Sequence, residues 1–152
     1  MKTGIVFPGA EGRTRHVGQI RQDISVANAE DVSKARRGEM PSDQVRRVNL
    51  PAVLVDTGAN SLCLPASVIA ALGIDFVREV VVETAAGPST ARLFGVVSLS
   101  IEGRAAPFEC LPGDMALLGV LPLETLGVEL DLQNNRLVLL PEQGPDTFHT
   151  VV

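Results

Sequence analysis

The run Leu54-Val55-Asp56-Thr57-Gly58-Ala59 is the one stretch of this 152-residue sequence whose residue types carry chemistry. A carboxylate that ends an apolar strand is costly to bury unless hydrogen-bond donors or a second carboxylate surround it. Asp56 is therefore the candidate reactive group, with the small residues Thr57 and Gly58 beside it. The same residues also suit an ordinary strand-ending turn, in which Asp bonds nearby amides and Gly takes a positive φ. Other chemistries are poorly served. The two histidines, His16 and His149, lie near opposite ends of the chain, so neither an HExxH helix nor a general base for a Ser or Cys nucleophile is available. Cys63 and Cys110 form no CxxC pair and have no His nearby, which leaves zinc with too few soft ligands. They read as free, buried thiols, and no metal or cofactor is expected.

The elements that must position Asp56 are mostly strands. Gly18 to Val26 alternates, with Ile20, Ile24 and Val26 on one face, and Val45 to Val55 is a second strand that turns apolar on both faces toward its end. Pro51 marks an edge or a bulge. Between them, Ala27 to Ser42 is polar, contains Gly38 and Pro41, and reads as a long loop. A short helix spans Ala66 to Leu72, with Pro65 at its start and Gly73 at its end. Phe76 to Thr84 and Thr90 to Ile101 form a hairpin with its tip at Thr84 to Ser89, and Glu102-Gly103-Arg104 turns the chain into a return strand, Ala105 to Leu111. Val120 to Leu126 is a second short helix ended by Gly127, and Val128 to Leu132 and Leu137 to Leu140 make a last hairpin. Short strands at this spacing imply an all-β barrel or sandwich.

Composition excludes further classes. With 13 Lys+Arg against 18 Asp+Glu, a net charge of −5 and no Trp or Tyr, the chain lacks the cation clusters and stacking platforms of a nucleic-acid binder. The charge is uneven, because residues 1–50 hold nine of the basic and six of the acidic side chains. Lys34, Arg36, Arg37, Arg46 and Arg47 there read as a solvated loop and strand edge. No apolar run approaches the length of a membrane span, and Ile5-Val6-Phe7 is too short for a signal peptide, so the expectation is a soluble, cytoplasmic protein without membrane contact.

The apolar strand before Asp56, Ala59 after Gly58, and Leu117-Leu118-Gly119 some 60 residues on resemble the retroviral-type (retropepsin-like) aspartic proteases. The similarity is closer to their small bacterial relatives, through the Leu62-Cys63-Leu64-Pro65 segment that follows the Asp-Thr-Gly-Ala turn. It runs in order over residues 18–141, leaving 1–17 as an N-terminal extension and 142–152 as a C-terminal tail. Three departures stand out: the extension, the long Ala27 to Ser42 loop, and a flap tip, Ala85-Ala86-Gly87, that is poorer in glycine than retroviral tips.

The resemblance implies a closed all-β barrel with one or two short helices, assembled as a twofold homodimer. Peptide hydrolysis by water needs one carboxyl to accept a proton while another donates one, and one chain supplies a single Asp56, so the partner would supply its mate on the symmetry axis. By the same resemblance, Thr57 would bond across the axis, Gly58 would let the loop amide approach the carboxylate, and Leu118-Gly119 would pack beneath. Ala59, Asn60 and the flap residues Glu83, Thr84, Ala85, Ala86 and Gly87 would meet a peptide substrate that adds as a strand. Two other functions share parts of this pattern. A catalytically silent dimerisation or peptide-binding module would keep the fold without the reaction. An actin-like nucleotidase also uses a strand followed by Asp-x-Gly, but it needs two α/β domains and a Gly-rich phosphate loop, which this sequence lacks.

Overall fold

The computed structural model describes residues 19–141. The expected extension 1–17 and tail 142–152, with His16 and His149, lie outside the described residues. Among the described residues, nine strands and three short α-helices follow one another, with one 3-10 turn at Ser42–Gln44: β1 Ile20–Asn28, α1 Ala29–Arg36, β2 Arg47–Val55, β3 Leu62–Pro65, α2 Ala66–Leu72, β4 Asp75–Thr84, β5 Gly87–Ile101, β6 Arg104–Gly113, β7 Leu117–Leu118, α3 Val120–Leu126, β8 Val128–Asp131 and β9 Arg136–Leu139. The main sheet has the order β1-β2-β7-β3-β6-β5-β4, and β1 also pairs with β5, so six strands bond in a ring and β4 hangs on its outer edge. β8 and β9 form a separate antiparallel pair. The chain is mostly β, as expected.

The alternation of β1 points Ile20, Ile24 and Val26 inward, where they meet Val53, Val55, Leu62, Leu64, Leu99 and Leu118 in one core. Pro51 does sit at an irregularity. The β1–β2 register shifts between Gln22 and Ile24, and Ala52 bulges at φ 51, its amide captured by Asp23 Oδ1 at 2.8 Å and its carbonyl by Arg21. The α2 boundaries are those read from the sequence, but Pro65 is the N-cap rather than the first helical residue, while Gly73 closes the helix at φ 65. α3 ends likewise on Gly127 at φ 70.

The Ala27 to Ser42 loop is a correction. β1 continues to Asn28, whose side chain caps α1 by accepting from the Asp31 amide at 3.0 Å, and Glu30 and Asp31 occupy the first turn with Lys34 and Arg36 in the last. Capping residue, acidic start and basic end are helix signals that outweigh the polarity of the stretch. Arg46 is corrected with it. Its Nε and Nη2 donate to the Asp31 carboxylate at 2.8 and 3.0 Å, its backbone N–H donates at 3.1 Å, and Asp31 is buried. Asn28, also buried, donates to the Leu72 carbonyl at 2.9 Å and so ties α1 to α2.

The hairpin tip is narrower than Thr84 to Ser89. Thr84 pairs with Gly87, leaving only Ala85 and Ala86 in the turn. The Thr84 hydroxyl donates to the Gly87 carbonyl at 2.7 Å and accepts from the Ala86 amide at 3.2 Å, and Gly87 takes φ 107. The Glu102-Gly103 turn is as tight as expected, with both residues at positive φ, which matches the twist of the flanking strands.

Candidate active site

Asp56 follows the last residue of β2, and the chain returns from it into β3 through Thr57 to Ser61. Between those two strands slips β7, parallel to β2 through Leu54–Leu117 and Val55–Leu118 and antiparallel to β3 through Leu62–Leu118 and Cys63–Leu117. This insertion fixes the loop from below. The Asp56 amide donates to the Leu118 carbonyl at 3.0 Å, and the Gly119 amide to Ser61 at 3.0 Å. The first amides of α3, which have no partner within their helix, donate to the same loop: Val120 to the Ala59 carbonyl at 3.0 Å and Leu121 to the Asn60 carbonyl at 3.2 Å.

Gly119 is the residue that permits this crossing. A Cβ there would stand 2.5 Å from the Asn60 carbonyl carbon and from the Ser61 oxygen, both backbone atoms. Gly58 differs. Its amide donates to Asp56 Oδ1 at 2.9 Å, and a Cβ would lie an ordinary 3.4 Å from that oxygen at a φ that is not positive, so a side chain would not prevent the approach within one subunit.

The carboxyl of Asp56 is half-buried, with the Gly58 amide on one oxygen, while Thr57, Gly58 and Asn60 are exposed. Around the loop, Leu121 in α3 is 53% exposed and Met115, before β7, 45%. Cys63 is half-buried on β3, and burial first, then the charge of Asp56, pushes its thiol above the ordinary value. Burial pushes the Cys110 thiol up to about 12, with Cys63 adding to the effect. Both thiols are free, as read from the sequence, but only Cys110 is buried as expected, Cys63 being half-buried. Among the described residues no three His, Cys, Asp or Glu side chains come together as metal ligands, and no helix is long and apolar enough to cross a membrane.

The structure thus gathers Asp56, Thr57, Gly58, Ala59 and Asn60 into one loop, and carries Glu83, Thr84, Ala85, Ala86 and Gly87 on the β4–β5 hairpin. Sequence reasoning missed the part played by the α3 amides. The signal was Gly119 directly before the helix, which lets its first turn approach the loop backbone.

An aspartyl protease family model matches residues 46–130, more than half of the chain and the segment from the start of β2 into β8. No curated protein matches the sequence. With the Asp56 loop built as described, and the match running through its strand, loop, hairpin and supporting helix, the chain belongs to the aspartyl protease family, in the retropepsin-like clan.

Proposed function

We propose that the protein is an aspartic endopeptidase in which a water molecule is activated between the Asp56 carboxyls of two subunits. The observation that carries this reading is a single carboxylate on a rigidly pinned, outward-facing loop, flanked by the exposed Thr57 and Leu121. One carboxylate cannot serve as base and acid at once, and a twofold axis beside the loop supplies the second. The ionised member takes the water proton as the oxygen attacks the peptide carbonyl, and the protonated member donates to the carbonyl oxygen. Return of a proton to the amide nitrogen releases the two peptides. The Thr57 hydroxyl would bond across the axis, and the β4–β5 hairpin, from Glu83 to Thr90, would close over a strand-like substrate.

Exposure of Leu139 and Leu140 and the separate β8–β9 pair support the end of the domain as part of the subunit contact. We take residues 18–141 as the protease domain, with 1–17 and 142–152 as appendages to it. Digestion of a mixed peptide library, read by mass spectrometry at a series of pH values, tests the function. The wild type should cleave with a bell-shaped pH profile on the acidic to near-neutral side, its limbs belonging to the pair as a unit. Asp56→Asn should cleave nothing while keeping its fold. Retained hydrolysis by that variant, or full activity from a monomer in sedimentation at tens of micromolar, sinks the mechanism. Absence of cleavage by a folded dimer would instead leave the silent peptide-binding module.

A further inference from the structure

α2, β5 and β6 line an apolar groove of about 480 Å³ that includes no residue of the Asp56 loop. Ala66, Ile69 and Ala70 of α2, Ile74, Phe94 of β5 and Pro112 of β6 line it. Arg92 of β5 stands at its edge. Its guanidinium carbon lies 4.4 Å from the centre of the Phe76 ring and 5.4 Å from that of Phe94, and the two rings meet edge to face at 6.1 Å. Glu79 is its cross-strand partner, yet Arg92 lies on the rings and makes no ion pair among the described residues. Contact with an aromatic face holds a guanidinium without using its N–H donors, and Arg92 is exposed, so its fork is available to a carboxylate.

Phe76 is 44% exposed and Val77 42%, so the apolar surface continues from the groove onto the hairpin. A preoriented cation with no counter-ion among the described residues, beside an apolar groove, is complementary to an anion next to an apolar group. The groove is short and open along the surface, so it accepts side chains rather than enclosing a long acyl chain. We propose that it is a second binding site, for a peptide segment that presents bulky apolar side chains next to a carboxylate. The apolar side chains enter between α2 and Phe94, and the carboxylate pairs with Arg92. The site does not depend on hydrolysis at Asp56.

The consequence concerns the hairpin. The β4–β5 register is broken between Phe76 and Arg78, and the β5–β6 register between Phe94 and Val97. Both irregularities adjoin the groove, so a bound peptide would bridge α2 to the hairpin at its base.

The test uses the Asp56→Asn protein, which leaves the probe uncut, and the peptide acetyl-Gly-Leu-Phe-Asp-Gly-amide. Titration followed by heteronuclear NMR should shift the Arg92 Nε–H and the amides of Ile69, Ile74 and Phe94 saturably. The same peptide with Asn for Asp should bind roughly fivefold more weakly, a comparison that needs no change to the protein. Arg92→Met should weaken the Asp peptide to the level of the Asn peptide, and Ala70→Trp, which fills the groove, should abolish both. No shift at millimolar peptide, equal binding of the Asp and Asn peptides, or shifts confined to the Asp56 loop and hairpin tip would overturn the proposal. So would tighter binding of decanoate than of the peptide at the same residues, which would mark a lipid site.

Discussion

Asp31 and Arg46 show how a pair that is invisible in the sequence comes to matter. The bidentate guanidinium holds the Asp31 carboxyl down from the ordinary 3.8 to about 2, against the opposing effect of burial. A group that titrates lower when folded stabilises the fold fully above its unfolded value, and that contribution is lost as the pH falls through the folded one. Acid unfolding of the wild type should therefore steepen between about 4 and about 2. Asp31→Asn, less stable at neutral pH, should show a flatter curve across that window in chemical denaturation. The glycines of the site make a second contrast. Gly119→Ala drives a Cβ into the Asn60–Ser61 backbone and should cost about 3 kcal/mol or more, with loss of any activity. Gly58→Ala meets ordinary contact and should leave the subunit folded, with a thermal midpoint close to that of the wild type. Asp56 and its neighbours were legible because their order along the chain is itself a pattern. The Asp31–Arg46 pair was not, because nothing in a polar stretch says which cation folds back on which carboxylate.

At the scale of elements, alternation carried most of the reading. β1, β2, β4, β5, β6 and the β8–β9 pair each place apolar residues on one side for long enough to be seen, and α2 and α3 end on glycines in the left-handed region. β7 is only two residues long and β3 four, and neither shows a period; their assignment comes from partners far along the chain. α1 was missed although Asn28, Glu30 and Asp31 mark its start. Asn28→Ala removes both its cap and the bond to Leu72, and should lower unfolding free energy by about 1–2 kcal/mol in denaturant titration. The Glu102-Gly103 turn offers the opposite test. Glu102 sits at φ 50, where Asn is better tolerated, so Glu102→Asn should raise stability by about 0.5 kcal/mol. A loss of stability would show that the contact from Gln22 to the Glu102 carboxylate outweighs the backbone term.

On the scale of the molecule, the closed ring explains why one loop can be both exposed and rigid. Each of the six strands in the ring has a neighbour on both sides, while β4, on the outer edge, pairs only with β5. The overall all-β character followed from the strand spacing, which left barrel and sandwich open, while closure was expected only from the family resemblance, since it depends on β1 meeting β5 and on β7 threading between β2 and β3. That threading also has a temporal meaning. The carbonyl that holds the Asp56 amide and the amides that hold the Ala59 to Ser61 carbonyls come from Leu118 to Leu121, about 60 residues later in the chain. A polypeptide emerging from the ribosome carries Asp56 long before it carries the groups that set it in place. Whatever the carboxylate does must therefore wait until synthesis has passed α3, because until then the Asp56 loop has nothing to hold it.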